Sequence, residues 1–383
     1  SSINGVVGWV KSGDMDTRTH TGVDKNVKTF YLNGKGRATT KAWGGRKDEV
    51  HSSLSEFEGE LFFVNLTEKV GNNIWYRGKI NNSGPTVWVH VNWVTTTYET
   101  TTNYNITLEQ AVKIQLNKNT TWRSVQGWVT ANEKEIRQYL DPSYFMNDEV
   151  QRFQFLNLSK LSGASEDILK NYLKGRGVLS GHEKNFLDAA RKYGVNELYL
   201  IAHARLETGN GTSALSNGSI EVGQISTNKY VTIEKNGTTQ IIHIAEYVQK
   251  NGAWDWEIEK VDSFNRNNAK SFKKTHNLFG IGAYDRNPNV LGAIHAYKQG
   301  WYTVKDAIFG GAKWISDNYI RNEHNQNTLY KMKWNPNMDK GYAWKQYASD
   351  IGWASKQVST IYNIYKEIGF TNTALYFDYP VYK

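Results

Sequence analysis

Residues 201 to 211 read Ile-Ala-His-Ala-Arg-Leu-Glu-Thr-Gly-Asn-Gly and place one carboxylate, Glu207, at the end of an apolar segment. From residue 196 to residue 206, apolar side chains recur three and four positions apart, which predicts a largely buried helix. Gly209 and Gly211 follow, and glycine commonly ends a helix at its C-terminus. The sequence therefore predicts a buried helix that stops directly after Glu207.

The position of Glu207 indicates acid–base chemistry. A carboxylate at a helix C-terminus meets the negative end of the helix dipole, and burial removes its water; both effects favour the protonated form. A carboxyl group that stays protonated near neutral pH is what a general acid needs. The alternative from the local pattern alone is an ordinary solvated glutamate at a frayed helix end.

Length and composition set broad limits. The chain has 383 residues, a net charge of +9 and no cysteine, so it forms no disulfides and performs no thiolate chemistry. The length predicts two or three domains. No apolar run approaches the roughly 18 residues of a membrane span, so no span is expected. The chain opens at Ser1 without a basic and apolar leader, which we interpret as a mature form or an excised fragment.

The N-terminal quarter predicts an all-β domain. Between residues 14 and 98, short runs rich in β-branched and aromatic residues alternate with turn sequences such as Asn33-Gly34. A polar, Thr-rich stretch at 95–102 follows and predicts a linker. Residues 5–10, Gly-Val-Val-Gly-Trp-Val, look like the closing strand of a preceding module. We therefore expect three segments: the tail of a preceding module at 1–13, a module at 14–98 and a second domain at 99–383.

Beyond residue 102 the pattern turns helical. Apolar residues three and four apart predict helices at 106–116, 133–140, 150–158, 165–173, 290–314 and 353–368. Ser180 to Glu183 predicts a capping box at the start of a further helix, which Gly194 ends. Lys235-Asn236-Gly237-Thr238 predicts a β-hairpin. The expected fold class is α+β, with an all-β module followed by a mainly helical domain that carries a small β lobe.

A family resemblance follows from motifs in a fixed order. Residues 206–213, Leu-Glu-Thr-Gly-Asn-Gly-Thr-Ser, resemble the catalytic signature of bacterial peptidoglycan glucosaminidases, a family that includes staphylococcal autolysin domains. Asn-Leu-Phe-Gly-Ile-Gly-Ala-Tyr-Asp at 277–285 and Asn-Thr-Leu-Tyr-Lys-Met at 327–332 resemble later motifs of that family. The resemblance covers roughly residues 104 to 369 and implies a lysozyme-like domain with its cleft between the helical body and the β lobe.

The resemblance implies an endo-β-N-acetylglucosaminidase that hydrolyses the bond from N-acetylglucosamine (GlcNAc) to N-acetylmuramic acid (MurNAc) in peptidoglycan, with Glu207 as general acid. Such cleavage needs a second group at the anomeric carbon. Glu221 and Glu234 are candidates for that group, and each also fits a plain solvated charge. In a third possibility the substrate's own acetamido group attacks, which requires no second carboxylate.

The motif at 277–285 also offers substrate-binding candidates. Asn277, Phe279 and Tyr284 would lie at a sugar, and Gly280 and Gly282 would permit close backbone approach. The alternative for this motif is a tight turn with an aromatic core plug.

Further candidates are aromatic. Tyr330 resembles part of the family's cleft segment, with core packing as the equal alternative. Trp254, Trp256 and Trp301 are candidate sugar-stacking groups, although most buried aromatic residues pack cores.

No metal or cofactor is expected. His203 and Glu207 lie four positions apart on one predicted helix, but the sequence lacks a second histidine at zincin spacing and any cysteine ligands. Glycine-rich phosphate loops are absent as well.

The N-terminal module resembles a wall-attachment module. Trp75-Tyr76-Arg77-Gly78 followed by Val87-Trp88-Val89 resembles the Gly-Trp modules of Gram-positive autolysins, which are small SH3-like barrels, although the glycine before Trp88 is missing. The resemblance implies a secreted, cell-wall-associated protein whose partners are peptidoglycan glycan strands, with teichoic or lipoteichoic acid as a candidate partner of this module. The basic charge favours polyanions, but no stripe of five basic residues and no nucleic-acid motif occurs, so no nucleic-acid partner is expected.

Two other functions stay open at this point. A muramidase or lytic transglycosylase would cut the other glycan linkage and leave muramic or anhydro-muramic ends, whereas a glucosaminidase leaves GlcNAc ends. A non-catalytic wall-binding adhesin would cut neither linkage, and the intact motif around Glu207 argues against it.

Overall fold

The computed structural model describes residue 11 and residues 18–118, 121–124 and 127–383. The chain divides into two compact units. Unit 1 comprises Ser1–Tyr98 with Thr371–Ala374, and unit 2 comprises Glu99–Phe370 with Leu375–Lys383. The expected closing strand at residues 5–10, like most of the expected tail at 1–13, lies outside the described residues.

Unit 1 consists of short antiparallel strands. These are β1 (His20–Asp24), β2 (Lys28–Leu32), β3 (Ala38–Thr39), β4 (Glu49–His51), β5 (Leu61–Val70), β6 (Asn73–Ile80), β7 (Val87–His90) and β8 (Val94–Thr95). Their order in the sheet is β4-β3-β7-β6-β5-β2-β8, and β1 pairs with β5 outside this path. Phe30, Phe62 and Val89 belong to its main core, while Trp75 and Trp88 belong to a second, smaller cluster.

Unit 2 is mainly helical. Its strands are β9 (Thr97–Asn103), which begins in unit 1, and β10 (Thr121–Ser124), β11 (Gly127–Thr130), β12 (Ile220–Ser226), β13 (Lys229–Asn236), β14 (Thr239–Lys250), β15 (Ala253–Val261), β16 (Lys270–Lys274) and β17 (Leu375–Val381). Its helices are α1 (Leu108–Leu116), α2 (Glu133–Leu140), α3 (Glu166–Leu173), α4 (Glu183–Tyr193), α5 (Glu197–Thr208), α6 (Pro288–Gln299), α7 (Val304–Ile315), α8 (Leu329–Lys333) and α9 (Trp353–Ile368). The α+β class is confirmed.

Several local predictions need correction. The Thr-rich stretch forms β9 and pairs with β17, because the β-branched threonines favour extended backbone and the hydroxyl of Thr102 donates to Asp378 at 2.8 Å. Residues 150–158 contain a 3₁₀ helix, Gln151–Phe155, in place of an α-helix. The helix predicted at 290–314 divides into α6 and α7 at Gly300, whose φ of +74° ends α6. The expected capping box at Ser180 does not form, since α4 begins after His182 without a side-chain cap.

The β lobe is a five-stranded antiparallel sheet in the order β15-β14-β13-β12-β16. The predicted hairpin is confirmed, with Asn236 opposite Thr239 and Gly237 at a φ of +60° in the turn. One face of the sheet, with Ile220, Val222 and Tyr230, packs against α6. The other face, with Val231 and Ile233, packs against the connection before β16.

Helix α5 is buried along its first two turns. Every residue from Glu197 to Ala204 is buried, and the Glu197 carboxylate accepts hydrogen bonds from the Ser162 hydroxyl at 2.7 Å and from two backbone amides. Because these two turns are buried, the axis of α5 is held in place, and the position of its C-terminus is set with it. Among the described residues, no helix is both long enough and apolar enough to cross a membrane.

Candidate active site

The end of α5 presents Glu207. Asn196 caps the helix N-terminus by accepting from the backbone N–H of Tyr199 at 2.9 Å, and Gly209 ends the helix at a φ of +56°. The predicted helix and its stop are therefore confirmed. Glu207 lies in the last turn with its side chain 40% exposed, so the expected burial of its carboxylate is wrong and a ligand can reach the group.

Three polar side chains follow one face of α5 at four-residue spacing. The Tyr199 hydroxyl lies 3.2 Å from Nδ1 of His203, and Nε2 of His203 lies 3.7 Å from Oε1 of Glu207. Burial raises the pKa of Tyr199 well above its ordinary value, and the nearby Glu207 carboxylate raises it further, so the phenol stays neutral. The buried imidazole thus stands between a neutral phenol and the candidate acid. The sequence held a signal for His203, its i, i+4 spacing to Glu207.

Aromatic rings enclose His203. Its ring meets Phe279 edge-on at 5.6 Å and Tyr347 at 6.4 Å between centroids, and Tyr347 stacks on Trp353 at 4.5 Å. Burial raises the pKa of Tyr347, and the negative charge of Glu207 raises it further, so the phenol lies within electrostatic reach of the acid. Sequence reasoning missed Tyr347, since no motif or spacing links residue 347 to residue 207.

The loop before α6 touches the acid. Gly280 has a φ of +64°, and a Cβ built on it would lie 2.7 Å from Oε2 of Glu207. Asn277 is buried and holds this loop, because its amide donates to the carbonyls of Ile281 at 2.8 Å and Gly292 at 3.1 Å. Its Oδ1 accepts from the backbone N–H of Phe279 at 3.3 Å. Asn277 therefore shapes the loop beside the acid, and its hydrogen-bonding groups are committed to protein partners.

Three aromatic candidates lie in the core. Phe279 packs so closely on α7 that a Cβ on Gly311 would lie 2.0 Å from its ring, and Trp301 packs in the same way on Gly310 at 1.9 Å. Tyr330 is fully buried; its hydroxyl contacts the carbonyl of Leu140 and lies 2.9 Å from the Tyr382 hydroxyl. None of the three has an exposed ring face. The expected contact with a glycan is therefore wrong for all three, and each packs in the core.

Tyr284 has a different environment. It is 66% exposed and lines a cavity of about 410 Å³ together with Tyr247, Trp254, Trp256, His295 and Lys298. Tyr247 stacks on Trp254 with centroids 5.4 Å apart, and Trp256 lies 5.1 Å from Tyr247. Gly282 also lines this cavity, so the loop that touches Glu207 at Gly280 reaches the cavity two residues later. We call this the aromatic cleft.

His295 is a polar residue of the aromatic cleft that the sequence did not single out. His295 lines the cleft, and its ring rests edge-on against Trp301 at 5.4 Å. Its Nε2 is buried and has no hydrogen-bond partner in the described part of the chain. Burial and the charge of Lys298 lower the pKa of His295, which favours a neutral imidazole. A neutral ring nitrogen with no partner is suited to a hydroxyl or amide of a ligand.

Glu221 and Glu234 lie on opposite faces of the lobe sheet. Glu221 stands across from Ile233, on the face away from α6, and binds Arg266 at 2.8 Å and Lys235 at 3.1 Å. Burial raises the pKa of Glu221, but the hydrogen bonds from these two cations lower it more, so its pKa lies below the ordinary value. Glu234 accepts from the amide of Asn289, in the first turn of α6, at 3.1 Å.

Known proteins match this chain over the region that contains the candidate active site. A family model described as mannosyl-glycoprotein endo-beta-N-acetylglucosaminidase matches residues 183–366, which include Glu207 and the aromatic cleft. A beta-N-acetylglucosaminidase of Bacillus subtilis (strain 168) is 42% identical over 68% of this chain and 24% of its own length. A bifunctional autolysin of Staphylococcus aureus (strain MRSA252) is 33% identical over 100% of this chain and 27% of its own length. The chain spans about a quarter of the length of these curated relatives.

A solved structure matches in fold as well as in sequence. The crystal structure of S. aureus glucosaminidase B is 33% identical to this chain with a TM-score of 0.52, and the match covers 75% of this chain and 94% of that one. Nearly the whole of that relative is therefore represented here, so the resemblance predicted from the ordered motifs is confirmed. The chain belongs to the glucosaminidase family.

Proposed function

We propose that this chain is an endo-β-N-acetylglucosaminidase that hydrolyses the GlcNAc-β-1,4-MurNAc bonds of bacterial peptidoglycan. The observation that carries the proposal is the placement of Glu207, accessible at the end of buried α5, against Gly280 and two residues along that loop from the aromatic cleft. The names of its relatives, a beta-N-acetylglucosaminidase and a bifunctional autolysin, support the same activity.

In this proposal Glu207 donates its proton to the oxygen of the glycosidic bond as the bond to the anomeric carbon breaks. His203, which contacts the Tyr199 hydroxyl, orients the Glu207 carboxyl group from the preceding turn of α5. The aromatic cleft holds the glycan, with the exposed faces of Tyr284 and Trp254 against sugar rings and His295 available to a hydroxyl or amide.

The second group at the anomeric carbon is proposed to belong to the substrate. Glu221 is already bound by two cations on the sheet face away from α6, which favours a structural role for that carboxylate. The carbonyl oxygen of the GlcNAc acetamido group would attack the anomeric carbon while Glu207 protonates the leaving oxygen. Water would then add at that carbon, its proton would return to the Glu207 carboxylate, and the bond from the acetamido oxygen to the carbon would break to restore the acetamide.

We further propose that residues 14–98 form an SH3-like wall-binding module and residues 99–383 the catalytic domain of a secreted protein of the Gram-positive cell wall. The separate antiparallel sheet and core of unit 1 support this division. Teichoic or lipoteichoic acid is a proposed partner of the module because the chain carries a net charge of +9.

The test is digestion of purified peptidoglycan by the wild type and by Glu207→Gln, with mass spectrometry of the released fragments. We expect GlcNAc reducing ends from the wild type and a loss of at least about 10²-fold in Glu207→Gln, since the amide fills the same volume but cannot donate the acid proton. Circular dichroism should show that the variant stays folded.

Each other outcome contradicts the proposal. Muramic or anhydro-muramic ends would indicate a muramidase or lytic transglycosylase. Absence of any fragment from the wild type would indicate a wall-binding adhesin. Activity of Glu207→Gln within a few-fold of the wild type would remove Glu207 as the acid.

A further inference from the structure

Unit 1 contains a pocket rich in tryptophan. Its volume is about 400 Å³, and its lining includes Trp43, Trp75, Trp93, His90, Arg37 and Asn73. The Trp75 ring lies at its centre, 6.0 Å from Trp43, 5.8 Å from Trp93 and 5.0 Å from His90, each meeting it edge-on. We call this the tryptophan pocket.

Trp43 sits in a backbone conformation that costs free energy. Its φ of +60° lies in the left-handed region, which a bulky side chain rarely adopts, yet its ring is 40% exposed. The guanidinium of Arg18 covers the ring at 3.2 Å from the centroid. Strained residues that persist cluster at ligand sites, where they hold a group in place for binding. The strain at Trp43 therefore points to a ligand for this ring.

Among the residues that the structure describes, two donors in the pocket have no protein acceptor. Nε1 of Trp75 is buried without a hydrogen-bond partner, although tryptophan N–H groups are usually bonded when buried. Nδ1 of His90 accepts from the backbone N–H of Asn92 at 3.2 Å, so Nε2 carries the proton and donates to Oδ1 of Asn73 at 3.1 Å. The Asn73 side chain thus accepts through its oxygen, which leaves its amide N–H group for a ligand oxygen.

The charged groups around the tryptophan pocket limit the class of ligand that it can bind. Arg37 and Arg18 lie at the rings, so a cation such as a quaternary ammonium is disfavoured. Arg37 is already bound to Glu49 at 2.9 Å and to the carbonyl of Gly44 at 3.3 Å, which compensates its charge. Burial lowers the pKa of His90 and keeps it neutral. The lining therefore favours a neutral ligand with an apolar face and acceptor oxygens.

We propose that the tryptophan pocket binds an N-acetylated sugar ring of a glycan strand. The ring's C–H face would lie on the exposed face of Trp43, and its acetamido oxygen would accept from Asn73 or Trp75. The choice of an N-acetylated sugar among neutral ligands rests on the proposed function, because unit 2 would cut the same polymer. The pocket, the strained backbone of Trp43 and the unbonded donors are observations that do not depend on that function.

The experiment uses the full chain with Glu207→Gln, so that the probe is not cut, and a linear β-1,4-linked GlcNAc pentamer as the probe. Hydrogen exchange with mass spectrometry reports where the pentamer protects the backbone. We expect saturable protection of residues 37–48 and 73–93. Because the pentamer is uncharged, we expect its Kd to change less than about twofold between roughly 0.05 M and 0.5 M salt.

Trp43→Gly provides the discriminating variant. It should raise the Kd for the pentamer at these segments at least about tenfold. Its Tm should stay equal or rise, because glycine adopts a positive φ without strain. Trp344→Ala, which removes another exposed indole, should leave protection of unit 1 unchanged, since Trp344 is 63% exposed and does not line the pocket.

The remaining outcomes overturn the proposal. These are protection confined to unit 2, unchanged protection in Trp43→Gly, and protection of unit 1 by poly(glycerol phosphate) or by pentaglycine but not by the pentamer. If the wild type cuts no peptidoglycan but the pentamer still protects unit 1 through Trp43, the proposed activity fails and the sugar pocket stands.

Discussion

Glu207 lies close to His203 on its own helix and to Gly280 in the loop before α6. His203 is fixed by the Tyr199 hydroxyl on one side and by Phe279 on the other. Gly280 lets the loop backbone approach the carboxylate as no other residue would. The position of the Glu207 carboxyl group therefore depends on the buried imidazole of His203 and on the absence of a side chain at Gly280.

Gly280→Ala tests that dependence. The new methyl group would lie 2.7 Å from Oε2 of Glu207, so the carboxylate must move. A displacement of about 1 Å at a reacting group can cost on the order of 10²-fold in rate, so we expect at least a tenfold loss of kcat on soluble glycan fragments.

Gly300→Ala is the matched control. Gly300 has a similar φ of +74° and open space where its Cβ would lie. Both variants should lose about 1 kcal/mol of stability from the strained backbone, but only Gly280→Ala should lose activity. Equal activities in the two variants would contradict the contact with Glu207.

The lobe carboxylates give a second prediction for single residues. Glu221→Gln and Glu234→Gln should each keep activity within about tenfold of the wild type, because a true nucleophile or base would cost several powers of ten. A substrate whose acetamido group is replaced by hydroxyl should be cut far more slowly, which initial rates would measure. If either variant is as inactive as Glu207→Gln, the carboxylate mechanism is correct and attack by the acetamide is excluded.

At the scale of elements, α8 ends in a buried cation. Lys333 is fully buried, and its ammonium donates to the carbonyls of Ala348 at 2.9 Å and Ser349 at 3.3 Å, which ties the segment after α8 to the helix. Burial lowers the pKa of Lys333 from 10.5 to about 7, although the charge of Asp350 opposes this shift. The folded protein therefore releases this proton far more easily than the unfolded chain does.

This shift predicts a pH dependence of stability. Between about pH 7 and pH 10.5 the unfolded chain holds a proton on Lys333 that the folded protein has released, so stability rises with pH across this window. Below about pH 7 both states are protonated and the full cost of the buried charge applies. From pH 7 to pH 9 the contribution is on the order of 2 kcal/mol.

Urea unfolding at several pH values checks the prediction. Lys333→Met should lose this part of the slope relative to the wild type. Lys340→Met should keep the slope, because the exposed Lys340 ammonium is solvated in both states. A wild-type slope in Lys333→Met would show that Lys333 stays charged in the folded protein.

At the scale of the whole molecule, each unit has a core of its own, with Phe30 and Phe62 in unit 1 and the residues around α5 in unit 2. We therefore expect a chain of residues 99–383 to fold, to cut soluble glycan fragments at the rate of the full chain, and to bind whole cell wall less well. Sedimentation with purified wall measures binding, and full-length Glu207→Gln, which should sediment without cutting, is the control. Loss of folding or of activity on soluble fragments would place the boundary elsewhere.

Elements with strong local signals were predictable from the sequence. Helix α2 and helix α9 have the predicted bounds, and α5 ends at Gly209 as expected, because helical periodicity and a glycine at positive φ act between near neighbours. The hairpin at Gly237 follows from its turn residues for the same reason. The candidate acid was also predictable from the sequence, because the end of the predicted helix and the motif at 206–213 coincide at Glu207.

Which side chains face a ligand depends on contacts that the sequence does not reveal. The motif at 277–285 contains the fully engaged Asn277, the buried Phe279 and the exposed Tyr284, and no local pattern separates them. The Thr-rich stretch became a strand because its partner is β17, with Asp378 lying 276 positions beyond Thr102. Burial and partners depend on contacts between segments far apart in the chain, and the packing of the whole fold sets those contacts.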